Sequence, residues 1–231
     1  MPIFAPKARR LRGLSALIAL LLVLGCWLGV VASASAAPVV TFRPSFGAGS
    51  QLGQSTTWSG ELTVSGSEYH GTVAPLTKLL VHLPAGVGGS SVGFPVCDRA
   101  TLENEGPTGC PAGSMAGSLG SVSFADAIGN QLVTETGTIQ AVFGAAQELL
   151  FYIQATAPIA FEIVATASYV PDASPYGRLL TLELPLIASV PGAPYVSTTA
   201  LNLNLGATRE EGGTVVSSVT MPSTCPDGQF A

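Results

Sequence analysis

Beyond about residue 37, apolar side chains fall at every second position along much of the chain, and this alternation limits the fold more than any other feature. In "TWSGELTVSG" Trp58, Gly60, Leu62 and Val64 share one face, while Thr57, Ser59, Glu61 and Thr63 share the other. "ALNLNLG" sets Leu201, Leu203 and Leu205 against Ala200, Asn202 and Asn204. "ELLFYIQA" puts Leu149, Phe151 and Ile153 together against Glu148, Leu150, Tyr152 and Gln154, a mixed second face. Similar runs occur near 79–83, 138–143, 161–169, 179–187 and 214–221. A period of two is that of a β-strand, and one apolar face with one wetter face marks antiparallel strands lining a core. Thr and Val, frequent in these runs, fit a pleated surface.

Turn-forming clusters separate the runs: "PAGVGG", "AIGN", "PDASPYG", "PGAP" and "REEGG". About eight to ten such strands predict an all-β fold, an antiparallel β-sandwich. A lipocalin-like β-barrel, or two smaller β-domains joined near 125–131, are the alternatives on the same pattern. No internal repeat supports duplication.

One segment breaks the alternation. "CDRATLENEGPTGCP" predicts a short helix from about Asp98 to Asn104, with Asp98 as N-cap and Gly106-Pro107 as its stop. Cys97 and Cys110 bracket it, and closure of so short a loop is geometrically easy. The expectation is a Cys97–Cys110 disulfide, worth about 3 kcal/mol in the loop-entropy picture, pinning the helix against the sandwich. Cys225 is then an unpaired cysteine, which in an exported chain suggests an intermolecular bridge, a free thiol or a missing partner. Zinc is the rival for all three cysteines, but neither a C-x-x-C nor a nearby histidine supports it. No metal and no cofactor is expected.

Export itself is read from the N-terminus. Lys7, Arg9, Arg10 and Arg12 precede the apolar run "LSALIALLLVLGCWLGVV", and "ASASAAP" follows. Those are the three parts of a secretory signal peptide, residues 1–36, cleaved between Ala36 and Ala37. Two rivals are a retained membrane anchor, since the run is nearly long enough to span, and a lipobox in "VLGC" that would lipidate Cys26. Leu24 and Trp27 fit the lipobox poorly. Arg9-Arg10 hints at a twin-arginine signal, but the residues after it fit badly.

Cleavage would remove four of the nine Lys and Arg, leaving five against 14 acidic residues, a net charge of −9 on 195 residues. Such a chain suits neither nucleic acid nor an anionic membrane, and no second long apolar stretch holds it in a bilayer. Its length suits one large domain or two small ones, with ample length for a real core.

"GSSVG" at 89–93 matches the G-x-S-x-G nucleophile elbow letter for letter. An elbow needs a strand-to-helix turn with an acid and a base in reach. Both His70 and His82 precede Ser91, no helical pattern follows, and Pro95 discourages one. A flexible Gly/Ser turn is the simpler reading, and no catalytic residue is expected. His82 falls on the face of Lys78 and Leu80, opposite Leu79, Val81 and Leu83, as a solvent-side residue, and His70 sits beside Gly71 in a turn. Asp98, Glu103 and Glu105 read as a solvated helix face, since they lack the spacing of a calcium loop. Trp58, Phe151 and Tyr152 read as core rather than as a sugar platform.

Around the helix, Pro95, Cys97, Leu102, Cys110, Pro111, Ser114, Gly117 and Gly120 form a pattern. It resembles a module of uncharacterised secreted proteins of actinobacteria: Pro-x-Cys, a short helix with a Leu, Cys-Pro-x-x-Ser, then a Gly-rich lead into a strand. Met115-Ala116-Gly117 departs from the usual Val-Gly after the Ser. "STCPDGQF" at 223–230 resembles the segment that leads, in such proteins, into a final hairpin closed by another cysteine. The resemblance therefore implies a C-terminus lacking that hairpin and the partner of Cys225. It carries no known activity. The functional expectation is an exported, non-catalytic protein of the cell envelope or extracellular space with a structural or adhesive role, partnered by cell-wall components or itself. The alternatives are a carrier for a carbohydrate or apolar ligand and, less favoured, a secreted serine hydrolase.

Overall fold

The alternating runs become strands. In the computed structural model, which describes residues 37–224 apart from 130, 158, 174 and 189, nine strands form one antiparallel sheet. They are β1 (Val39–Phe46), β2 (Trp58–Ser65), β3 (Lys78–Pro84), β5 (Gly120–Ile128), β6 (Gln131–Phe143), β7 (Leu149–Ala157), β8 (Phe161–Pro171), β9 (Tyr176–Glu183) and β10 (Ser197–Leu205). Two short ribbons complete the described strands. β4 (Gly88–Gly89) pairs with β13 (Val219–Thr220), and β11 (Thr208–Glu211) pairs with β12 (Thr214–Ser217).

The order across the sheet is β1-β2-β10-β5-β6-β7-β8-β9-β3. Strands β5 to β9 run as a meander, each paired with the next. β10 then returns beside β5 and β2, while β3 lies at the far edge beside β9. Consecutive strands β2 and β3 thus stand near opposite ends of the order. The sheet is curled. Phe124 on β5 and Phe161 on β8 stand three strand spacings apart, about 14 Å in a flat sheet, yet their ring centroids are 5.2 Å apart.

Curling folds one face of the sheet onto itself. The inner positions of eight of these strands, all but β1, share one apolar core, including Trp58, Leu62, Val122, Phe124, Ile139, Phe151, Ile153, Leu182 and Leu203. The sandwich is therefore made from a single hydrogen-bonded sheet. Residues 125–131 contain the β5–β6 turn rather than a linker, because Ile128 pairs with Gln131 across it. This corrects the two-domain alternative. Nor do the strands close into a lipocalin-like barrel, since β1 and β3, at the two ends of the order, do not pair with each other.

The outer face of β7 is also apolar, which explains its mixed pattern. Val142, Leu150, Tyr152 and Val164 project outward and are covered by Cys97 and Leu102. Leu102 belongs to α1 (Arg99–Glu105), the predicted helix, and is fully buried. Asp98 caps it as expected, its Oδ2 accepting from the Ala100 N–H at 3.0 Å. Gly106, with φ +67°, ends it, and Pro107 opens a single 3₁₀ turn.

The far end of the chain holds the curl together. β13 pairs with β4 just after β3, and the Thr56 N–H donates to the Val219 carbonyl at 3.0 Å just before β2. Met221 N–H donates to Gln54 at 2.9 Å on the same side. A few residues near 220 thus join the approach to β2 to the exit from β3, near the two ends of the nine-strand order.

Candidate functional site

The most elaborated surface is the corner where α1 lies across β7 and β8. Cys97 and Cys110 are bridged, with Cα atoms 5.2 Å apart, an ordinary disulfide separation. Arg99 fastens the helix to the sheet. Its Nη1 donates to Thr166 Oγ1 at 2.6 Å and its Nη2 to the Val164 carbonyl at 3.0 Å. Its Nε donates to Glu103 Oε1 at 2.7 Å, one helical turn on. Tyr152 lies beneath, its phenol pushed up to about 12 by burial first and by the Glu162 carboxylate second.

Two depressions flank this corner. One, lined by Glu103, Tyr152, Glu162, Val164 and Pro185, encloses about 280 Å³. The other, lined by Lys78, Arg99, Thr166, Glu183 and Pro185, encloses about 490 Å³. Both share Val164 and Pro185. They are open grooves, the first walled more by apolar than by polar surface and the second evenly mixed, suited to a surface contact.

The other residues singled out above are spread over the molecule. Ser91 opens a turn, its carbonyl accepting from the Phe94 N–H at 3.1 Å, with Gly93 at φ +79°. A turn, not a helix, follows β4. His82 is half exposed on β3, as its alternation predicts, and its Nδ1 meets Asp172 Oδ2 at 2.6 Å. Asp172 is held below the usual carboxylate range by that histidine, helped by the Ala173 N–H and opposed by burial. His70 takes φ +48° in a two-residue turn with Gly71, between paired Tyr69 and Thr72, and its ring lies edge-on to Tyr69. No hydrogen bond joins Ser91 to either histidine among the described residues.

Trp58 and Phe151 are in the core and Tyr152 is under α1. Asp98 caps α1 and Glu103 pairs with Arg99, so the helix acids work locally. Among the described residues, no three His, Cys, Asp or Glu side chains gather as a metal site, and no helix is long and apolar enough to cross a membrane. Ala37 starts the described chain. Ala36, Cys26 and Cys225, with the expectations attached to them, lie outside the described residues.

One constellation escaped the sequence reading. Asp126 on β5 and Glu135 on β6 are fully buried, and both oxygens of each lack a hydrogen-bond partner. Register places them diagonally on one face, since Asp126 pairs with Val133 and Glu135 with Phe124. Glu135 is raised above the ordinary carboxylate value, chiefly by burial and next by the charge of Asp126. The Ile159 backbone pulls weakly the other way, without meeting hydrogen-bond geometry. The available signal was an acid on an inward-alternating face: Val122, Phe124, Asp126.

Fold and corner together define an all-β, disulfide-braced, sandwich-like protein. Compared with known protein families, with curated proteins and with solved structures, the chain finds no match.

Proposed function

We propose that the protein is exported and serves a non-catalytic, structural or adhesive role in the cell envelope or extracellular space. The observation that carries this reading is the disulfide-braced corner. A bridge between Cys97 and Cys110 persists in an oxidising compartment, and the basic-then-apolar N-terminal segment supplies a route there. At that corner the polar side chains hold the fold together. Arg99 ties α1 to β8, and Asp98 caps the helix. The open grooves beside it offer a contact surface rather than a chamber that encloses a ligand.

The experiment is fractionation of producing cells, with intact mass measured under non-reducing conditions. The expected product begins at Ala37, carries one disulfide and partitions with the wall or the medium. A full-length, reduced chain retained inside the cell would overturn the reading. So would hydrolytic activity on ester substrates abolished by Ser91→Ala. A carrier role predicts a ligand-dependent rise in melting temperature, and such a rise with a soluble sugar or lipid would replace the structural reading.

A further inference from the structure

Among the described residues, Asp126 and Glu135 are the acids with both carboxylate oxygens buried and unpartnered. Glu68 also has one such oxygen, but its other accepts from the Ala74 N–H. Two carboxylates in an apolar setting cannot both remain ionised without a compensating charge. Among the described residues, the surroundings offer none. From β10, Ser197 and Thr198 pair beside Ala125 and Phe124, and the Ser197 hydroxyl already donates to the Val73 carbonyl at 2.5 Å. From β7, Ala155 pairs beside Gly137. From β8, Phe161 packs on Phe124. Among the loops at this end, His70 lines an open depression beside Ala127 and Ile128, outside the core.

A divalent cation would also neutralise the pair. Hard cations such as calcium take about six to eight oxygen ligands, however, and among the described residues this pair has no third acidic, histidine or cysteine neighbour of the kind a metal site gathers. Loss of ionisation is the simpler resolution.

We propose that Glu135, buried beside Asp126, retains a proton inside the sandwich, making the β5–β6 end a pH-sensitive brace that is tightest in acid and loosens as the proton leaves. The raised position of Glu135 agrees with this. A carboxyl raised on folding binds its proton more tightly in the folded than in the unfolded chain. Stability therefore falls as pH climbs from the unfolded toward the folded value, and is recovered on acidification. An exported protein meets whatever pH its surroundings have, so such a brace acts where the chain is expected to work.

The test is thermal unfolding of the full chain between about pH 4 and pH 9, for wild type, Asp126→Asn, Glu135→Gln and the double variant, with His70→Ala as control. At neutral pH Glu135→Gln should melt above wild type by about 4 °C. The gap should close as pH falls, and His70→Ala should leave the wild-type pH profile unchanged. A gap independent of pH, or a variant melting below wild type throughout, overturns the proposal. So does a rise in melting temperature with calcium or manganese that wild type shows and Asp126→Asn lacks, which would make the pair a cation site. Infrared spectroscopy of wild type decides the matter even where variants fail to fold. A protonated-carboxyl band at neutral pH that fades toward alkaline pH is expected, and its absence at neutral pH overturns the proposal.

Discussion

Asp172 shows how much one side chain's surroundings set its behaviour. It faces His82 across the edge of the sheet at 2.6 Å, and its other oxygen accepts from the Ala173 N–H at 2.7 Å. Both contacts favour the ionised form, the histidine more strongly. A depressed carboxylate stabilises the fold above its unfolded value and loses that contribution as pH falls through its folded value, the reverse of Glu135. His82→Ala should therefore move the Asp172 titration, followed by carboxyl-carbon NMR, up toward an ordinary aspartate. An unchanged titration would mean that the pair is not formed in solution. The solvent-side position of His82 follows from alternation alone. Its partner does not, because Asp172 lies 90 residues away in a turn that β8 and β9 bring to the same edge. Gly117 makes a similar point. A Cβ there would run into the Asn204 backbone carbonyl, and one at Gly120 into that of Asn202. The Gly-rich approach to β5 is thus a close pass against β10, which neither residue reveals without its neighbour. Gly117→Ala should cost about 1–3 kcal/mol, measured by denaturant unfolding, and a neutral result would show that the strand can move aside.

At the scale of elements, the corner helix was legible because each of its signals is local. Asp98 before the helix, Gly106 after it and a cysteine at either side are all read within fifteen residues of sequence, and the structure has the cap, the stop and the bridge in place. β5 was harder to read. Its inward face runs Val122, Phe124, Asp126, and an acid where an apolar residue belongs disguises the strand. β1 was missed for a different reason. Nearly its whole length is exposed, so no buried face imposes a pattern. The corner makes a quantitative prediction. Replacing both Cys97 and Cys110 by Ser should lower stability by about 3 kcal/mol. Leu102→Ala, which opens a cavity over Val142 and Leu150, should cost about 2–5 kcal/mol. The two perturb one contact layer, so the combined loss should fall short of the sum. Denaturant unfolding of the set checks this, and strict additivity would mean that bridge and helix act independently.

For the whole molecule, the question is what keeps a nine-strand sheet curled when β1 and β3, at the two ends of its order, do not pair with each other. Periodicity predicts strands but is silent on which residues pair across 130 positions, and that is why the curl could not be read in advance. The stitch near residue 220 supplies the answer. Val219 is buried in the main core and its carbonyl accepts from Thr56, while Ser218 accepts from Ser90 at 2.9 Å. Side chain and backbone therefore hold the approach to β2 and the exit from β3 at once. Val219→Asp would place a charge in that core while leaving the α1 corner untouched. Its effect should be a lower melting temperature, together with faster hydrogen exchange at Gly53, Thr56 and Ser90 as a group. Those three amides lie on segments joined mainly through the stitch, so their rates should rise in step, whereas the Cys97 amide, bonded to Phe143 at 2.8 Å, should keep its protection. Cooperative opening of this kind defines a local unfolding unit. If Thr56 and Ser90 lost protection independently, or if the Cys97 amide opened with them, the curl would be held by the core as a whole and the stitch would be only its surface seam.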